Sequence, residues 1–360
     1  MRDEIISEKI GEGRNSNIEV LKIIAIVMVV MCHMVPNGGD VNALSYVDLR
    51  HASANIQSVA LVMNNYLGSI GNAIFLECSA WFLVDSYKIK KKKIVDILID
   101  NWVVSVLFCA AFIIFGINLS TRELVWQFLP TTSGENWFIT CYLLFYVSHP
   151  FLNQIINHVT QNTLKTINIC LLSIYGVGQM LFPGSYYYTP LIGFWTIYFV
   201  VAYRKKYLMD IIVDRKKNIQ ILMMSSVSLV VLIVFTDLIG LKINALSGQM
   251  QRWNLLTNPL VILISISIFN LFVNSLKKFQ NKQINFVAST SMLVYIIHNN
   301  YIIKTYIRQK YFEKIFEIFT YKYIYLWACI GAIVTFLLSV AIASLYIKGK
   351  NTIKTFITKL

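Results

Sequence analysis

Apolar runs of roughly 20 residues, the length a helix needs to cross a bilayer, alternate with short polar or basic clusters along the whole chain. Ten such runs are recognisable: 18–36, 70–87, 94–117, 136–156, 164–182, 186–203, 218–238, 254–273, 284–303 and 323–346. The pattern predicts an all-α, polytopic transmembrane helix bundle of about ten spans. Between the runs lie shorter signals. Residues 56–67 are apolar but carry Asn64 and Asn65, which suits an interfacial helix or a re-entrant start. Ser120 and Glu123 have capping-box spacing and predict a short amphipathic helix through Leu129. Phe312, Ile315, Phe316 and Phe319 fall on one helix face, as expected of a helix lying on the membrane surface.

Charge orients the bundle. Lys88 and Lys90 to Lys93 form the densest basic run, which the positive-inside rule places in the cytoplasm. The second run then passes outside to inside, the first passes inside to outside, and ten spans return both termini to the cytoplasm. On that assignment 22 basic residues face the cytoplasm and nine face outward. A membrane-embedded domain is expected over 14–347, with short cytoplasmic tails at 1–13 and 348–360. The first run lacks a small-residue cleavage site, so it reads as a span and not as a removable signal.

Composition agrees. The 360 residues are 56% hydrophobic, which excludes an ordinary soluble globule. The net charge of +14 sits in clusters between apolar runs, so it reports topology and not a nucleic-acid footprint. Cys32, Cys78, Cys109, Cys141, Cys170 and Cys329 lie in apolar segments without paired spacing. They read as small hydrophobes and not as disulfides or metal ligands.

The first run carries the candidate chemistry. Glu19 and Lys22 open it, and His33 lies eleven residues beyond Lys22. Eleven residues of α-helix make about three turns and rise about 16 Å, so Lys22 and His33 share one face. An ionisable group that deep in a span is costly, which favours a functional role for His33 over a structural one. Its imidazole can serve as a general base or as a nucleophile.

The spacing of Arg14, Glu19, Lys22 and His33 resembles the first span of the membrane-bound acyltransferase family three, whose members carry Arg/Lys-x10-His there. Three later stretches are similar to the same family in the same order. The second run holds Gly71, Asn72, Phe75, Glu77, Ser79, Ala80 and Trp81. It departs from the family in Ala80, where glycine is common, and in Glu77, where an apolar residue is common. Lysines 88 to 93 then stand where the family tends to place arginines. The fourth run opens on Glu135, Asn136, Trp137 and Phe138 and continues to Tyr146, His149, Pro150 and Asn153. The ninth holds Tyr295 and His298, three apart on one helix face.

The resemblance implies an integral membrane O-acyltransferase of the plasma membrane. It would move an acyl group, most simply acetyl, from cytoplasmic acyl-CoA to a hydroxyl of a surface polysaccharide or lipid-linked sugar. No permanently bound cofactor and no metal is expected. His33, Glu77 and His298 are the candidate catalytic groups. A lone carboxylate such as Glu77 should meet a histidine, an arginine or a water chain. Arg14, Glu19, Lys22, Glu135, Asn136, Trp137 and Tyr295 are candidate substrate contacts, with lysines 88 to 93 as point charges for coenzyme A phosphates or for anionic lipid. His149 reads as structural. The alternative from another class is a transporter or flippase for lipid-linked sugars, with His33, Glu77, Asp100 and His298 coupling protons. The absence of an internal repeat weighs against it. A polysaccharide polymerase would be expected to carry a larger external loop than 37–69.

Overall fold

The computed structural model describes residues 15–35, 56–182, 189–240, 243, 253–274, 278–319 and 323–357. Among them all regular secondary structure is helical, without a strand. In order the helices are α1 (Ser16–His33), α2 (Ile56–Leu83), α3 (Lys91–Ile114), α4 (Thr121–Phe128), α5 (Trp137–His158), α6 (Gln161–Leu181), α7 (Pro190–Tyr207), α8 (Met209–Val213), α9 (Arg215–Gly240), α10 (Pro259–Asn274), α11 (Lys282–Ser289), α12 (Ser291–His298), α13 (Ile303–Phe319) and α14 (Ile324–Ile357). Local sequence sets many of their starts. Asn15, Thr160 and Thr189 cap α1, α6 and α7, and Pro190 occupies the first turn of α7. Ser120 and Glu123 form the expected reciprocal box at α4, at 3.3 and 2.7 Å.

Five described helices are long and apolar enough to cross a membrane: α1, α3, α6, α9 and α14. The pair formed by Lys282–His298 and α13, bent by 71°, makes a sixth if counted as one broken span. Length and composition therefore support fewer spans than the ten expected. Helices α5 and α7 carry polar side chains that are bonded inside the bundle. Asn153 of α5 donates to the carbonyls of Leu83 and Ser86, each at 2.8 Å, and accepts from Tyr198 of α7 at 2.6 Å. These bonds replace the water that the bilayer interior lacks.

Three local expectations are corrected. Residues 56–67 are neither a separate interfacial helix nor a re-entrant turn. They are the first part of one 28-residue helix, α2. The apolar face of α13 is not laid on a membrane surface: Phe312 and Ile315 are buried in the core. The last helix runs on through Ile357, so Lys348 and Lys350 are helical. Lys350 pairs with Asp100 at 2.6 Å, and Tyr346 donates to the same carboxylate at 2.7 Å.

Helix α1 lies in the bundle interior, half of it buried, against less than a third for α3, α6, α9 and α14. Its main neighbour is α2, and Gly71 permits the close approach. A Cβ at that position would lie 2.5 Å from the Ala25 carbonyl oxygen and 3.0 Å from the Met28 Cβ. Gly71→Val is therefore expected to force the two helices apart and lower stability by about 1–3 kcal/mol. A fall of several degrees in the thermal midpoint of the detergent-purified protein is the expected result.

Candidate active site

The far end of α1 meets α12. His33 Nδ1 lies 2.9 Å from His298 Nε2, with ring centroids 5.1 Å apart, although 265 residues separate them in sequence. His298 Nδ1 is 2.6 Å from the Val294 carbonyl oxygen one turn back. The Tyr295 ring stands edge-on to His298, at 5.7 Å. Arg308 of α13 is buried, and its Nη1 donates to the His33 carbonyl at 2.5 Å. Both histidines and Arg308 line a cavity of about 170 Å³, otherwise walled by apolar side chains of α13 and α14 that include Ile307, Val334 and Leu338.

The near end of α1 opens on a second cavity, of about 500 Å³. Lys22, Lys90, Lys92 and Lys93 line it, with Asp96 as the acidic group. Lys22 pairs with Glu19 at 3.0 Å, as the spacing predicts. Lys93 donates to the Tyr142 hydroxyl at 2.7 Å and lies over the Tyr146 ring. The Ser291 hydroxyl is buried, lines this cavity and has no hydrogen-bond partner in the protein. An adjoining cavity of about 420 Å³ shares Lys92 and Asp96 and is closed by Tyr346, Ile347 and Lys350 of α14.

Two helices run between these regions. Helix α1 carries Lys22 at the basic cavity and His33 at the histidine pair; α12 carries Ser291 at the first and His298 at the second. Seven residues of α12 span about 10 Å and eleven of α1 about 16 Å. A cationic recess and a pair of acid–base groups therefore lie along one axis.

The other predicted residues divide. Glu77 does not join the histidines. Its Oε1 accepts from Ser265 at 2.7 Å, and the charge it feels most is that of Arg204, without an ion-pair contact. Asn136 is buried, donates to Asn101 at 2.7 Å, and leaves its own Oδ1 without a partner in the protein. Trp137 packs edge-on against Phe138 and Phe194 as part of an aromatic cluster. Glu135 is half-buried, with the charges of Lys304 and Arg122 nearby. His149 is fully buried on the Tyr146 carbonyl, in keeping with a structural role. Arg14 lies outside the described residues.

Sequence reasoning missed Arg308, which it counted among external loop charges. It also passed over Asn299 and Asn300, which follow His298 directly. Asn300 donates to Gln127 at 2.9 Å and ties α4 to the end of α12. Two adjacent amides at the end of an apolar run were the available signal, because buried amides require partners.

The comparison with protein families decides what this arrangement belongs to. The acyltransferase family 3 model, described as an acyltransferase domain, matches residues 15–344. The chain belongs to that family. The match begins at the cap of α1 and ends within α14, so it includes the histidine pair and both cavities. The chain is accordingly a membrane acyltransferase. No curated protein and no solved structure matches it.

Glu135 of this acyltransferase offers a pH test. Burial raises its carboxyl above the usual range, and Lys304 and Arg122 only partly offset that. An acid with a raised folded-state pKa contributes stability that is present below its unfolded pKa and lost as pH rises through the folded one. Glu135→Gln should therefore raise the thermal midpoint relative to wild type at pH 7, and the difference should close at pH 4.

Proposed function

We propose that the protein is an integral membrane O-acyltransferase that moves an acyl group, in the simplest case acetyl, from acyl-CoA to a hydroxyl of an envelope or exopolysaccharide sugar. The observation that carries this reading is the axis from a lysine-lined cavity to a histidine pair inside the bundle, of which His298 is buried and His33 half-buried. In this reading the chain crosses the plasma membrane about ten times with both termini in the cytoplasm. The basic cavity then faces the cytoplasm, where acyl-CoA is available. Lys22, Lys90 and Lys92 supply positive charge for its phosphates. The unpartnered Ser291 hydroxyl offers a hydrogen bond to the polar arm that runs toward the histidines.

The hydrogen bonds support a role for each histidine. A carbonyl oxygen only accepts, so His298 Nδ1 carries the hydrogen that points at Val294. In a neutral His298, Nε2 is then an acceptor, and His33 Nδ1 must donate to it. That leaves the lone pair of a neutral His33 on Nε2, the form a general base requires. His33 Nε2 takes the proton of the acceptor hydroxyl as its oxygen attacks the thioester carbonyl. The C–S bond then breaks, and the coenzyme A thiolate leaves and takes the proton back from the His33 imidazolium, which regenerates the base. Arg308 places a positive charge at the same cavity, where negative charge develops on the carbonyl oxygen. His298 is a positioning residue that fixes the His33 tautomer.

Of the groups on which proton-coupled transport would rely, Asp100 is held by Lys350 and Tyr346, and one oxygen of Glu77 accepts from Ser265.

Membranes carrying equal amounts of wild type and variants, given acetyl-labelled acetyl-CoA and envelope glycan, test the reading through alkali-labile label in the glycan. His33→Ala should lose about 10²- to 10⁴-fold in rate. Equal transfer by wild type and His33→Ala would remove His33 from the chemistry. The double variant Lys90→Gln/Lys92→Gln should raise KM for acyl-CoA by roughly three- to tenfold with kcat unchanged. That difference should shrink in high salt; an unchanged KM would place the donor elsewhere.

A further inference from the structure

A third cavity, of about 370 Å³, lies away from the histidines among α6, α7, α9 and α10, with α8 against one end. Its walls are mostly apolar, with Leu172, Val200, Ile262, Leu263 and Ile266 among them. Helices α6 and α9 are the least buried of the apolar spans, and Leu263 of α10 is 40% exposed, so the cavity communicates with the lipid-facing surface.

Polar groups are few but unusual. Arg204 is only 6% exposed and lines the cavity. Its Nη2 donates to Asn270, and Asn270 in turn donates to Asn218 at 2.6 Å. Its Nη1 has no hydrogen-bond partner in the protein. Asn168, 7% exposed, lines the same cavity and spends its amide hydrogens on the Leu164 and Phe199 carbonyls, while its Oδ1 is unpartnered. Glu77 lies outside the lining and makes no ion-pair contact with Arg204.

A buried guanidinium with an unused donor is costly in a medium that supplies no water. Water is a poor filling for a space this size, because each buried water needs two to four polar partners and the walls offer very few. An occupant that fits has an anionic oxygen for Arg204 and an apolar chain for the walls. Charge around the cavity agrees: Arg215, Lys216 and Lys217 are exposed at the start of α9, beside the lining residue Asn218. Basic pockets between spans at a basic membrane edge suit anionic lipid heads.

We propose that this cavity binds one anionic phospholipid, with a phosphate oxygen on Arg204 and one acyl chain along the wall formed by α6 and α10. The site is separate from the histidine pair and does not depend on the acyl-transfer reading. The bound lipid fills the gap between α6 and α9 and supplies an acceptor oxygen for the Arg204 Nη1, which Glu77 does not reach.

Native mass spectrometry of the full-length protein, released from detergent with phosphatidylglycerol or phosphatidylcholine of the same chains, tests this. Wild type should retain one phosphatidylglycerol with at least tenfold preference. Arg204→Gln should bring the preference to within twofold. Leu263→Trp, which fills the wall from the exposed side and leaves the charge in place, should cut retention of that lipid at least fivefold. Lys216→Gln/Lys217→Gln should keep the preference, which separates the cavity from general surface charge. Equal retention of the two lipids by wild type, or loss of preference in the Lys216/Lys217 variant alone, would overturn the proposal. If Arg204→Gln does not fold, unchanged retention in Leu263→Trp overturns it as well.

Discussion

The contact between His33 and His298 depends on two helices that start 275 residues apart ending side by side in the bundle interior. Much of the architecture serves that meeting. Helix α2 packs closely on α1 because Gly71 carries no side chain there. Arg308 reaches from α13 to the last carbonyl of α1, which has no intrahelical partner of its own. Asn300 anchors the end of α12 to Gln127 of α4. Each of these bonds satisfies a polar group that lipid would leave bare, so the same requirement that builds the interior also fixes the two rings.

That requirement also explains which helices look like membrane spans. Those on the periphery face lipid with most of their surface and must be apolar all round. Those inside face protein, where Asn153, Arg204 and Glu77 each find a hydrogen-bond partner in Tyr198, Asn270 and Ser265. Of the five helices long and apolar enough to cross a membrane, four are less than a third buried, and α1, which carries His33, is half-buried.

The helical class and the importance of the first run were legible in the sequence, because hydropathy and the period of a helix are local properties. The alignment of Lys22 with His33 follows from the turn of a helix alone, and each indeed borders its own cavity. The partners were not legible in this way. Glu77 and His33 are both intramembrane ionisable groups, yet which of them meets His298 depends on how α1, α2, α10 and α12 pack. Asn136 lies near a span end, and its bond to Asn101 of α3, 35 residues away, is not visible in the sequence. Phe312 and Ile315 have an amphipathic spacing that suits a membrane surface and a protein surface equally, and tertiary packing chose the second.

Helix α14 borders two of the regions that matter. Gly331, Val334 and Leu338 wall the histidine cavity, and Tyr346, Ile347 and Lys350 close the recess beside the lysines. Between them Ala343 is fully buried. One helix therefore forms part of the wall of both compartments, so a substitution that shifts α14 is felt at the histidine pair and at the lysine-lined recess together.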